Sequence, residues 1–163
     1  MNYRAFTLIE LLVVVAIIGI LAAVGVNTFT GFQEKAKIAV VKSNHNEMVK
    51  YTRTVLVLCG LETTVSMVDK NGNPIKRDCS QPFSQWDGYM RDHFVGIGLV
   101  NPYSVSQKIP IGKSSQPTEA GVTHYWADNI TNNPFYIWSC FDSTCNLNAS
   151  PPTAQKDIVY WVP

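Results

Sequence analysis

A single carboxylate, Glu10, lies near the start of an otherwise apolar run of the sequence. Phe6 to Ile9 precede it, and Leu11 to Val26 follow it without a charged or strongly polar side chain. The run reaches the ~20 residues that a helix needs to cross a hydrocarbon layer, so it is a candidate membrane span. A carboxylate in such a helix costs roughly 2.5–3.5 kcal/mol at the bilayer centre and less near the edge. Glu10 is therefore expected either to have a partner or to place its carboxylate among the headgroups.

The four cysteines form the second group that can do chemistry. They allow three disulfide pairings, and we favour the one that joins Cys59 to Cys79 and Cys140 to Cys145. The first bond ties the end of a predicted helix to the loop after it, and the second closes a short loop near the C-terminus. Disulfides persist in the periplasm and at cell surfaces and are rare in the cytosol, so these compartments are favoured.

Metal-binding and catalytic motifs are missing from the sequence. A zinc site is the alternative use of the cysteines, but the chain has no Cys-x-x-Cys pair. A serine elbow, a phosphate-binding glycine loop and a metalloprotease helix are also missing. The histidines are dispersed and are interpreted as surface or sheet residues: His45, His93 and His124. The chain is predicted not to be an enzyme, and neither a cofactor nor a metal is predicted.

The charge of the chain excludes a further class of function. A formal net charge of +1 argues against a dedicated nucleic-acid-binding domain, since such domains usually show a basic face or stripe. The basic residues between positions 35 and 53 alternate with Glu34 and Glu47, which precede Lys37 and Lys50 by three residues. This spacing favours a solvated helix face.

A long helix is predicted to position Glu10 and Cys59. Beyond Val26, apolar residues recur at helical spacing from Phe29 to Cys59, which predicts an amphipathic helix over residues 27–60 that continues the apolar helix of residues 6–26. Gly60 is a plausible stop for this helix.

Residues 61–163 predict a globular head built on a small antiparallel β-sheet, with an overall α+β fold. One apolar face of the sheet would be covered by the amphipathic half of the helix. A hairpin is predicted around Asn71-Gly72. The turn imitates the start of a calcium loop, but Pro74 and Ser80 stand where an EF-hand has glycine and glutamate. The predicted strands are 65–69, 75–78, 94–100, 122–127, 135–140 and 158–162, and residues 112–117 and 146–155 are predicted loops.

Residues 5–23 resemble the N-terminus of the type IV pilin superfamily. In that family a short basic leader and a small residue precede Phe-Thr-Leu-Ile-Glu and an apolar helix. Residues 1–5 match the leader, with Ala5 where the family usually has glycine. The resemblance implies cleavage between Ala5 and Phe6 by a membrane prepilin peptidase, methylation of the Phe6 amine, and polymerisation into a filament in which Phe6 and Glu10 act in assembly. It also implies the pilin fold.

The resemblance further implies partners and a location. The leader would be cytoplasmic and the head periplasmic while the precursor sits in the inner membrane, and the processed chain would then enter an extracellular pilus. Its partners would be copies of itself, the prepilin peptidase and the pilus assembly machinery. Two alternatives stay open: a pseudopilin of a type II secretion system, and a bitopic membrane protein whose head binds a ligand such as DNA or a surface glycan.

Pilins often carry a proline at the position that Asn27 occupies here. Gly25 and Gly31 flank Asn27, and each glycine weakens a helix by about 1 kcal/mol relative to alanine, against about 3 kcal/mol for proline. We therefore predict a continuous helix in the isolated subunit and local melting between Val24 and Gly31 in a filament.

Overall fold

A computed structural model describes residues 6–128, 134–149 and 152–160, with the side chains of residues 24 and 26–28 left out. The leader, including Ala5, lies outside the described residues. The elements in chain order are α1 (Leu8–Leu61), β1 (Thr64–Val68), β2 (Pro74–Asp78), α2 (Phe83–Gly96), β3 (Val100–Asn101), β4 (Ser104–Lys108), β5 (Thr123–Ala127), β6 (Pro134–Cys140) and β7 (Ala154–Tyr160). The predicted α+β fold, with one long N-terminal helix and small antiparallel sheets, is confirmed.

The chain divides into two compact units, Met1–Ala36 and Lys37–Pro163. In the first unit, the large apolar side chains from Phe6 to Leu21 are 45–81% exposed. Phe29 and Phe32 are also more than 60% exposed. Over the described residues, no helix meets the combined length and hydropathy requirements of a membrane span. The predicted boundaries of the leader, the span, the amphipathic helix and the head stay predictions.

In the second unit, one face of α1 is buried from Val41 onward. Val41, Met48 and Val55 recur every seven residues and are at most 1% exposed, as the helical period requires. The helix contains no proline and ends at Leu61, one residue beyond the stop predicted at Gly60. Its buried face contributes to a core shared with α2 and the sheets.

The β1–β2 hairpin confirms the turn that Asn71-Gly72 predicted. The amide N–H groups of Asn71 and Asn73 both donate to Asp69 Oδ1 at 2.9 Å. Gly72 has a φ of 86°, a value that favours glycine. These hydrogen bonds, led by the one from Asn73, hold the pKa of Asp69 below its usual value. The Asp69 carboxylate is thus committed to closing its own turn.

The largest sheet has the order β5-β6-β7, with antiparallel pairs throughout. Thr123, Ser139 and Gln155 stand opposite one another, and Tyr125, Ile137 and Asp157 form the next row. Because side chains alternate along a strand, these rows share one face. That face carries the fully buried Tyr125, Ile137 and Ser139.

The predicted strand 94–100 is wrong. Trp86, Met90 and Phe94 follow one another at intervals of four residues, lie on one face of α2 and are fully buried. A Cβ on Gly96 would lie 1.9 Å from the Asp69 carbonyl oxygen, so α2 ends where only glycine permits close contact with the hairpin. The apolar residues at the end of α2 have strand-like composition, and this concealed the helical period.

The end of the head also differs from the prediction. β7 begins at Ala154, so the loop predicted over 146–155 is two residues too long. β7 is described to Tyr160, and the last two residues of the predicted strand 158–162 lie outside the described residues. The short strand β4 has little apolar alternation and was not predicted.

Candidate assembly site

Glu10 caps the N-terminus of its own helix. Thr7 directly precedes α1, and both its backbone N–H and its hydroxyl donate to Glu10 Oε2, at 2.9 and 2.8 Å. The Glu10 N–H lies 3.3 Å from Thr7 Oγ1 and donates to it. This reciprocal pair is a capping box, which satisfies N–H groups that a helix start otherwise leaves without a partner.

The carboxylate stands on an exposed apolar surface. Phe6, Ile9, Val13 and Val14 surround Glu10 in a shallow concavity, and all four apolar side chains are at least 45% exposed. Glu10 Oε1 has no hydrogen-bond partner among the described residues. Oε2 therefore accepts the hydrogen bonds that cap the helix, while Oε1 is open to a cation from a partner. Of the predicted assembly residues, the structure brings Phe6 and Glu10 to the same surface.

Sequence reasoning missed Thr7. The signal was present, because a threonine followed three residues later by glutamate at the start of an apolar run is the sequence pattern of a capping box. The position of Glu10 in the apolar run and the resemblance to type IV pilins predict an assembly role for Glu10, but they do not predict this cap.

The cysteines are joined as the favoured pairing expected. Cys59, near the end of α1, is bonded to Cys79, which follows β2, with the two Cα atoms 5.3 Å apart. Cys140 at the end of β6 is bonded to Cys145, with the Cα atoms 4.8 Å apart. The first bond fixes the end of the long helix to the hairpin, and the second closes a loop at the end of the central strand.

A buried polar network ties α1 to the sheet. His45 is fully buried, its Nε2 lies 2.8 Å from Asp157 Oδ2 on β7, and its Nδ1 lies 2.8 Å from Ser139 Oγ on β6. Ser139 Oγ in turn lies 2.7 Å from Thr123 Oγ1 on β5. One histidine of α1 therefore connects all three strands of the sheet. The interpretation of His45 as a surface or sheet residue is wrong.

The charges in this network follow from its surroundings. Burial lowers the pKa of His45 more than the contact with Asp157 raises it. Burial raises the pKa of Asp157. Hydrogen bonds from His45 and Gln155 lower this pKa by more than burial raises it, so the pKa lies below its usual value. Both pKa shifts agree with a neutral imidazole that donates from Nε2 to an ionised carboxylate. Nδ1 then accepts a hydrogen bond from the Ser139 hydroxyl.

Ser139, His45 and Asp157 have the residue types of a hydrolytic triad, but their placement does not suit that chemistry. Ser139 and His45 are fully buried, so a substrate has no route to the hydroxyl. Ser139 Oγ is also engaged by Thr123. The network acts as a structural connection between the helix and the sheet.

Comparison with known proteins finds similarity that includes the N-terminal site. The model of the prokaryotic N-terminal methylation motif matches residues 1–26. The resemblance to the type IV pilin superfamily is confirmed. The chain is 26% identical over 167 residues to the type IV major fimbrial protein FimA of Dichelobacter nodosus. The aligned region covers 95% of this chain and 96% of the relative. No solved structure matches the chain.

A second relative is similar over a shorter span. The type IV major pilin protein PilA of Myxococcus xanthus strain DK1622 is 56% identical over 41 residues, which are 25% of this chain and 19% of the relative. The higher identity over the shorter span shows that the likeness to PilA is concentrated in one part of the chain. Neither relative has the name of an enzyme.

Proposed function

We propose that this chain is the structural subunit of a type IV pilus and that it polymerises through the helix of residues 6–26. The observation that carries the proposal is the exposed Glu10 carboxylate, with one oxygen open, on an exposed apolar helix that matches the methylation motif. A helix with apolar side chains all round must be covered by lipid or by other protein. Copies of the same helix satisfy this need in a filament.

The chemistry of assembly follows from processing. Cleavage between Ala5 and Phe6 creates a new amine at Phe6, which keeps its positive charge when it is methylated. In the filament core this amine meets Glu10 of a neighbouring subunit. Removing one member of a buried ion pair costs roughly 3–5 kcal/mol, because the other charge stays buried without a partner. The pair therefore favours subunits that are in register and correctly processed.

The capping box gives Glu10 a partner before assembly. Thr7 engages Oε2 within the same chain, which lowers the cost of holding the carboxylate in the inner membrane. We place the precursor there with its head in the periplasm, and the processed chain in an extracellular filament. Its partners are the prepilin peptidase, the assembly machinery and further copies of itself.

The pilus is favoured over a pseudopilin of type II secretion. Both named relatives are major fimbrial or pilin proteins, and the head has two disulfides where such pseudopilins usually have none. The carboxylate of Asp69, in the loop that imitates a calcium site, serves its own turn.

The proposal is tested by the substitution Glu10→Ala. We expect the variant to be processed and to accumulate in the membrane, while filaments sheared from the cells fall to a small fraction of the wild-type yield. Glu62→Ala, which removes an exposed carboxylate beyond the end of α1, serves as the control and should assemble normally. Normal filament yield from Glu10→Ala would refute the assembly role.

A further inference from the structure

A polar cavity of about 350 Å³ opens on the second unit, beside β5 and the loop that precedes it. Its lining includes Gln107, Lys113, Thr118, Glu119 and His124. The volume lies at the lower end of the roughly 300–1,000 Å³ that small-molecule sites occupy. The proposed assembly of the chain makes no use of this cavity.

Backbone contacts hold the walls of the cavity. The Ile111 N–H donates to the Thr123 carbonyl at 2.8 Å, and the Tyr125 N–H donates to the Ile111 carbonyl at 2.9 Å, which fixes the start of the loop against β5. Gly121 has a φ of 75°, and a Cβ there would lie 1.9 Å from Asn101 Oδ1. The loop therefore returns to β5 through a position that only glycine fits.

His124 presents a hydrogen-bond acceptor at this cavity. The residue is 5% exposed, and its Nδ1 contacts the Ser115 carbonyl oxygen. A carbonyl only accepts, so Nδ1 carries the proton. Burial lowers the pKa of His124, which favours the neutral ring. Nε2 then has a free lone pair and no hydrogen-bond partner among the described residues.

Gln107, which also lines the cavity, has an uncommitted donor. Asn101 Oδ1 accepts the Tyr103 N–H at 2.8 Å, so the Asn101 amide must donate through Nδ2. Nδ2 donates to the Ala120 carbonyl at 2.9 Å and to Gln107 Oε1 at 2.7 Å. The orientation of the Gln107 amide is thereby fixed, and its Nε2 group has no acceptor within the described part of the chain.

The rim adds no net charge. Lys113 and Glu119 are both exposed and have opposite signs. This pair gives no net attraction for a phosphate or another anion, because Glu119 repels the charge that Lys113 attracts. Among the described lining residues, the only aromatic ring is the imidazole of His124, so the cavity has no larger ring on which a nucleobase would stack.

We propose that this cavity binds one neutral hexose. A sugar hydroxyl both donates and accepts, so adjacent hydroxyls of one ring satisfy His124 Nε2 and Gln107 Nε2 together. The same hexose chemistry occurs in a free sugar and at the end of a glycan chain. This proposal does not depend on filament formation, because all the residues that carry it belong to the second unit of one chain.

The test is a titration of the full chain in dodecylphosphocholine micelles, whose headgroup contains no sugar. The probes are the methyl glycosides of glucose, galactose, mannose and N-acetylglucosamine, and the readout is the nitrogen signal of the His124 ring. We expect saturable binding of at least one glycoside with a shift at Nε2. Tighter binding of an oligosaccharide that ends in the same hexose would assign the site to glycans, and equal binding would assign it to free sugars.

Two variants complete the test. Gln107→Leu should weaken binding by about tenfold or more, because it leaves a sugar hydroxyl without its donor. The control Gln81→Leu changes a glutamine that does not line the cavity and should leave binding unchanged. The proposal is overturned if no glycoside binds saturably, if inorganic phosphate binds in preference to every glycoside, or if Gln107→Leu binds as the unchanged chain does.

Discussion

Two side chains of α1, Glu10 and His45, combine a polar group with an apolar setting in different ways. Glu10 lies on an exposed apolar surface and uses one oxygen to cap its own helix. His45 is fully buried, and both of its ring nitrogens have partners on the sheet. An unsatisfied group on an exposed surface is available to a partner, whereas a satisfied group in the core fixes the position of the helix.

Replacing His45 tests the second of these roles. We expect His45→Ala to lower the free energy of unfolding by about 2 kcal/mol or more, because Ser139 and the Asp157 carboxylate lose their partner. Asn46→Ala changes the exposed neighbour on the same helix and should have little effect. Urea unfolding of the full chain in micelles, followed by circular dichroism, measures the difference. Equal stability of the two variants would show that the network contributes nothing.

At the scale of elements, the segment between Val24 and Gly31 is the weakest part of α1 by composition. Its backbone is helical in the structure, in agreement with the continuous helix that the sequence predicts for the isolated subunit. The side chain of Asn27 lies outside the described ones. Gly25 and Gly31 have no neighbouring atom within 4 Å of an added Cβ, so alanine fits at either position.

This segment is predicted to melt locally in the filament and to make the filament extensible. Replacing Gly25 and Asn27 with alanine should stiffen it, because each replacement removes a residue of lower helix propensity. Single filaments of the double variant should extend less under a given force. Gly60→Ala, where the added methyl group also has open space, is the control at the other end of the helix. Identical extension of the double variant and the control would contradict local melting.

The two disulfides close loops of different lengths. Closing the loop from Cys59 to Cys79 contributes about 3 kcal/mol on a chain-entropy estimate, and closing the shorter loop contributes about 2 kcal/mol. Cys59→Ser with Cys79→Ser should therefore destabilise the head more than Cys140→Ser with Cys145→Ser. Non-reducing peptide mapping checks the pairing first. Recovery of Cys59 joined to Cys140 or Cys145 would overturn it.

At the scale of the whole molecule, the sequence predicts local features better than contacts between distant residues. The apolar run, the β1–β2 hairpin and strands β5 and β6 follow from short patterns. The contact from His45 to Asp157 joins residues 112 positions apart. The spacing of His45 from Val41 and Met48 places it on the buried face of α1, but no local pattern predicts its partner on β7. α2 was missed because Phe94 and Val95 suit a strand as well as a helix, and only packing around Trp86 and Met90 decides between them.

The stability of the head should depend on pH through its three buried histidines. Burial lowers the pKa of His45, His93 and His124 below the usual 6.5. The folded state then binds fewer protons than the unfolded state, so stability is complete above about pH 6.5 and is lost as the pH falls toward the folded pKa values. Protonation of His93 also removes a hydrogen bond, because its Nδ1 accepts the Val68 N–H at 3.1 Å.

Urea midpoints measured between about pH 7.5 and about pH 5 should therefore decrease steadily. His93→Gln should show a shallower decrease, because one of the three titrating groups is gone. A midpoint that stays constant over this range would mean that the histidines are not buried in the neutral form.

The central claim is that this chain polymerises through its N-terminal helix, and a helical reconstruction of filaments sheared from cells tests it most directly. We predict subunits that begin at Phe6, with their apolar helices packed in the filament core and each Glu10 carboxylate within hydrogen-bonding distance of the Phe6 amine of a neighbour. Filaments that lack this chain, or that contain it with Met1 retained and the apolar helix outside the core, would contradict the claim.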